Sequence, residues 1–183
     1  MRAVLLPLDP TPAQAQLLRN YCGASRFAYN WTVATAKENM ETRKRERCAG
    51  VDEIELTNPL SWTAWSMTPL WNSVKDQVAP WHHDITWHAF CSGVTNASTA
   101  LKNYKESEKG VRRGQPVKFP KFKNRHSKLS VTFTDSEMQS GWIAHDSRHI
   151  RLILPKWAEN PRIARRRAQL QWIHTTEPLR WRR

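Results

Sequence analysis

Between residues 87 and 104 the apolar positions Trp87, Phe90, Val94, Ala97, Leu101 and Tyr104 recur at steps of 3, 4, 3, 4 and 3. That spacing predicts one long amphipathic helix with these six on its buried face. Ser92, Gly93, Ala97 and Ala100 are small enough to let another helix approach closely. Upstream, residues 2–8 read as a short strand ended by Asp9 and Pro10. Thr11, Pro12 and Gln14 then form a helix start: a capping hydroxyl, a proline at the first helical position and a glutamine three residues after the cap. Leu17, Leu18 and Tyr21 supply its stripe, and Gly23 is the stop signal. A second helix opens at Ala24 and Ser25, with Phe27, Trp31 and Ala34 on one face and a charged tail over 38–47. Two helices joined by a Cys-Gly turn resemble a helix-turn-helix.

Residues 48–59 read as an acidic loop. Short helices are expected over 60–67 and 71–78, with Pro80 as a breaker. Beyond 110 the period changes to two. Leu129, Val131 and Phe133 alternate with Ser130, Thr132 and Thr134, which predicts a half-buried strand. Residues 142–144 and 149–154 give two more strands around an Asp146-Ser147 turn. A basic helix at 162–170 and a final strand at 171–174 follow. The fold class expected is α+β: a helical block inserted in a small, barrel-like sheet domain.

Charge divides the 183-residue chain. Residues 1–100 hold 9 cations and 9 anions, whereas residues 101–183 hold 20 cations and 7 anions, the whole of the +13 net charge. Such asymmetry points to a polyanion-facing half, and nucleic acid is favoured over a membrane because that half shows no basic amphipathic helix. The densest chemistry lies at 115–123, Gln-Pro-Val-Lys-Phe-Pro-Lys-Phe-Lys. Two prolines exclude helix interior and central strand, leaving a stiff extended segment of alternating ammonium groups and rings. Lys118, Lys121, Lys123, Arg125 and Lys128 are candidate phosphate ligands, and Phe119 and Phe122 candidate stacking faces. Arg112 and Arg113 add a basic loop just before them.

Other chemistry is sparse. Cys22, Cys48 and Cys91 are far apart and make no CxxC pair, so neither a disulfide framework nor a zinc site is readable. His82, His83 and His88 lie close together without an acid or thiolate at ligand spacing. No metal, cofactor or catalytic residue is assigned. No apolar run is long enough to span a bilayer and no leader is evident, so a cytoplasmic chain is expected. Most of the ten tryptophans should be core or interface anchors.

Five blocks resemble the OrfB/TnpB family of transposon-encoded, RNA-guided DNA nucleases. They are the Pro12–Leu18 start, the Gly-Ala-Ser-Arg-Phe-Ala-Tyr-Asn-Trp run at 23–31, Ala-Leu-Lys-Asn-Tyr at 100–104, Lys-Phe-Pro-Lys-Phe-Lys at 118–123, and the strand at 150–156. The resemblance implies a small wedge-type β-barrel, either complete or short of its final strands, interrupted by a helical recognition domain. In this chain that gives a first wedge strand at 1–10, a recognition domain beginning with a helix-turn-helix at 11–108, and a basic loop with the remaining wedge at 109–183. It implies guide RNA and double-stranded DNA as partners. By position it adds Trp62, Ser66, His88, Lys102 and Thr134 to the nucleic-acid-binding residues. Trp87 and Cys91 depart from the polar or basic types expected there, and Trp87 keeps its core assignment. The family's RuvC nuclease, with its Mg²⁺ carboxylates, and its zinc ribbon match nothing in this chain, which is therefore expected to be a truncated, non-catalytic binding half. The alternatives are a nuclease-dead DNA-binding regulator or the first part of an intact nuclease.

Overall fold

The computed structural model describes residues 8–132 and, further along, the backbone of three short strands. In order the elements are β1 (Leu8–Asp9), α1 (Pro12–Cys48), α2 (Ala64–Val78), a 3-10 helix (Pro80–Asp84), α3 (Trp87–Glu108), β2 (Ile143–His145), β3 (His149–Leu152) and β4 (Ile173–Thr175).

α1 begins as its sequence dictates. Thr11 Oγ1 accepts from the Gln14 N–H, Gln14 Oε1 accepts from the Thr11 N–H at 2.9 Å, and Pro12 occupies the first turn. The helix then runs for 37 residues, about 55 Å at 1.5 Å per residue. The turn expected at Gly23 is therefore absent. A mid-helix glycine costs only about 0.5–1 kcal/mol, whereas Tyr21, Ala24, Ser25, Ala28, Tyr29 and Val33 are all buried along the continuous stripe. Burying even one large apolar side chain is worth about 1.5–3 kcal/mol, so the unbroken helix wins. Ala34, expected beside Phe27 and Trp31, is exposed.

The two short helices expected at 60–67 and 71–78 are one helix, α2, capped by Thr63 and continuing through Pro69. Met67 and Trp71 anchor it in the core. Trp71 stacks on Phe90 at 5.2 Å and meets Trp31 and Phe27 edge-on at 5.3 and 6.1 Å. α3 closes the core with Phe90, Val94, Ala97 and Leu101 of the predicted stripe, joined by Ala89. Trp87 is the exception at 46% exposed. It stands on the first turn of α3, and its indole N–H donates to Asn72 Oδ1 at 3.2 Å.

α1 and α3 approach closely at Gly93. A Cβ there would lie 2.1 Å from the Ser25 carbonyl oxygen and 2.9 Å from the Ala28 Cβ. Just past the Lys109 cap of α3, Gly110 adopts φ +68° while its N–H bonds the Ser107 carbonyl. This is the left-handed residue that commonly terminates helices.

The β-barrel expectation is corrected. Among the described residues, four strands form one open antiparallel sheet in the order β1-β4-β3-β2, with Leu8 opposite Thr175, Ile150 opposite Ile173 and Ile143 opposite Leu152. Closure would require β1 to pair with β2, and these two stand at opposite edges. Each strand has only two to four residues, so the described body is helical rather than an α+β barrel. The strand expected from Leu129 onward is not one over 129–132. There the chain docks on helices: Val131 packs against the main core and the Thr132 N–H donates to Ser92 Oγ at 2.9 Å. Leu129 stays 47% exposed, so within 129–132 the alternation leaves only Val131 packed. Residues 2–7, Phe133, Thr134, the Asp146-Ser147 turn and the basic helix at 162–170 lie outside the described residues.

Candidate nucleic-acid interface

The segment at 115–128 has no regular secondary structure, consistent with its prolines. It is nevertheless fixed. Asn30, on α1, accepts the Lys123 N–H at 2.8 Å and donates its amide to the Lys123 carbonyl at 2.9 Å. One side chain thus serves both backbone groups, as a neighbouring strand would. Arg26 donates to the Asn124 carbonyl at 3.0 Å, and the Val117 N–H donates to Ser107 Oγ at 2.8 Å. Asn124 and Ser127 close a tight turn through 2.9 and 3.2 Å bonds.

Phe119 is the apolar anchor of the segment. It packs on Tyr29, Val33 and Ala97, with Tyr104 edge-on at 5.3 Å and Trp62 edge-on at 6.5 Å. Its ring is committed to the protein. Phe122 is 54% exposed and leaves a ring edge or face to solvent. Lys123 is half-buried with its ammonium 4.2 Å from the Tyr29 ring centre, and burial holds its pKa below the usual lysine range. Lys118, Lys121, Arg125 and Lys128 are exposed. The row of expected phosphate ligands is therefore split: four cations point outward and one grips α1.

The other expected residues fall around this core set. Lys102 is exposed on α3 and pairs with Glu106 at 3.7 Å. Arg112 and Arg113 are exposed in the loop after α3. Trp62 is half-buried in the ring cluster, 6.5 Å from Tyr104, with Lys105 5.9 Å from its ring centre. Ser66 is occupied at the α2 cap, its hydroxyl 2.9 Å from that of Thr63. His88 is half-buried, and burial lowers its pKa. Thr134 lies outside the described residues.

Two groupings were not expected from the sequence. The first is a cleft of about 560 Å³ beside the anchored segment, lined by Arg19, Asn20, Gly23, Arg26, Phe27 and Trp81 among others, with Asp84 on its wall. Arg19, Gly23, Arg26 and Asn30 recur at helical steps of 4, 3 and 4, a signal that only an unbroken α1 turns into one face. The second joins His82 and His83 to Asp76, the acid that local spacing did not supply: His82 Nε2 lies 3.2 Å from Asp76 Oδ1. Burial is the main influence on His82 and lowers its pKa.

No helix among the described residues is long and apolar enough to cross a membrane. A family profile described as a helix-turn-helix domain, that of the OrfB group, matches residues 1–45. Two curated relatives come from Mycobacterium tuberculosis, one from strain CDC 1551 / Oshkosh and one from strain ATCC 25618 / H37Rv. Each is provisionally named an RNA-guided DNA endonuclease. Each is 29% identical to this chain over 160 residues, covering 83% of this chain and 32% of the relative. The chain thus spans about a third of the length of the curated relatives it matches.

Proposed function

Because the chain belongs to the OrfB/TnpB family, we propose that it is a nucleic-acid-binding body that grips guide RNA and the motif duplex of target DNA through its 115–128 segment. The observation that carries this reading is a division of labour. The backbone at 123–124 is bolted to α1 by Asn30 and Arg26, while Lys118, Lys121, Arg125 and Lys128 stay exposed. Ordering the segment beforehand removes part of the entropy cost of binding. Cations on it meet phosphates without a folding step, and Phe122 can stack on an unpaired base. Arg112, Arg113 and Lys102 are exposed as further cations, and the cleft beside Arg26 offers guanidinium groups next to rings.

The test is affinity for structured RNA and for duplex DNA, measured against salt concentration. A body neutralising about six phosphates loses roughly 10³ in affinity between 50 and 200 mM salt. Replacing Lys118, Lys121, Arg125 and Lys128 by alanine should flatten the log–log salt slope by about 3–4. An unchanged slope in the folded quadruple variant would remove this segment from the interface.

A further inference from the structure

We propose that Asp76, His82 and His83 form a binding site for a divalent transition-metal ion of the zinc class. α2 carries Asp76 near its C-terminal end, the chain turns at the fully buried Ala79, and the 3-10 helix presents both imidazoles back toward that carboxylate. One candidate ligand atom from each of the three residues lies within 4.8 Å of the other two. One pair, His82 Nε2 and Asp76 Oδ1 at 3.2 Å, matches the edge of about 3.3 Å that bonds of about 2.0–2.1 Å give in a tetrahedral zinc site.

The surroundings of His82 support a ligand role. Its Nδ1 lies 3.1 Å from the Ala79 carbonyl oxygen. An oxygen there can only accept, so Nδ1 carries the proton and, in the neutral ring, Nε2 presents a lone pair to Asp76. Metal-ligating histidines commonly donate their other ring N–H to a backbone carbonyl, which fixes the tautomer. A lone pair and a carboxylate oxygen facing each other at this distance call for a cation between them, and a proton or a metal ion would serve. Two imidazoles and a carboxylate suit zinc, cobalt, nickel or copper(II) better than magnesium or calcium, which prefer all-oxygen sets. Three protein ligands leave a fourth tetrahedral position for water or an outside donor, and Asp76 and His83 are exposed, so the ion can enter from solvent.

The experiment uses the full chain freed of metal by chelator, titrated with zinc chloride by calorimetry and thermal melting. Cobalt(II) absorption reports the ligand geometry. One equivalent of zinc is expected, with a melting temperature that rises with zinc concentration. Asp76→Asn and His83→Ala alter exposed side chains and should keep the fold, verified by circular dichroism. Each should weaken zinc binding by more than about tenfold, the lower range seen when merely an outer-shell partner is lost. Two results overturn the proposal: no binding by the wild-type chain, or equal binding by the wild-type chain and both variants, which would place the ion elsewhere, for instance on the exposed Cys48.

Discussion

Asn30 and Lys123 are 93 positions apart in sequence, yet they exchange two hydrogen bonds of 2.8 and 2.9 Å between one side-chain amide and the backbone N–H and carbonyl of one residue. The same device recurs nine residues along α1. Asn39 donates to the Asn58 carbonyl and accepts from the Leu60 N–H, both at 3.0 Å. Asparagine suits this work because its amide carries both an acceptor and donors. α1 thereby holds two irregular segments that pair with no strand among the described residues. Replacing Asn30 by leucine should cost about 1–3 kcal/mol, two net hydrogen bonds. Hydrogen exchange at the Lys123 amide should accelerate while α3 amides stay protected.

The contact at Gly93 gives a sharper test. Gly93→Ala forces a methyl group onto the Ser25 carbonyl, which is backbone and cannot swing away. The expected destabilisation is about 1–3 kcal/mol by urea denaturation, the usual range for overpacking. Gly23→Ala is the matched control: nothing lies within 4 Å of its added Cβ. It should stabilise by about 0.5–1 kcal/mol through helix propensity.

Trp71 is fully buried among Phe27, Trp31 and Phe90, and its indole nitrogen has no hydrogen-bond partner among the described residues. Trp71→Ala should cost about 3–5 kcal/mol. Trp71→Phe should cost clearly less, because the smaller ring keeps the stacking while removing an unsatisfied donor. Equal losses for the two variants, read from denaturation midpoints, would show that the indole N–H has found a partner.

Burial pushes the Cys91 thiol up to about 12, with Lys75 opposing weakly. The thiol is favoured over the thiolate in the folded chain, so its contribution to stability is fully present below the ordinary value near 9.0. It is lost progressively as pH rises from there through about 12. At pH 8 a thiolate-specific alkylating reagent should modify exposed Cys48 first and Cys91 last. Cys91→Ser should reduce the alkaline fall in stability.

Local signals in this chain were read well where local physics decides. The Thr11–Gln14 cap, the α3 stripe from Phe90 to Leu101 and the irregular 115–123 segment all follow from neighbours in sequence. What was missed depends on partners far away. Gly23 looks like a helix stop until Ser25 and Ala28 are seen to need α3, and Leu129-Val131 looks like a strand until Ser92 captures Thr132. Phe119 and Phe122 are equivalent in the pattern, but only one finds the gap between Trp62 and Tyr104. His82 and His83 lacked an acid because Asp76 reaches them across the turn at Ala79 rather than along a helix.

The glycine inside α1 also shapes what the cleft can admit. With no side chain at position 23, bare helix forms part of its floor between Arg19 and Arg26. A leucine placed there would act as a stopper, filling the hollow while both guanidinium groups keep their charge, and so would separate occupancy of the hollow from simple attraction to its rim.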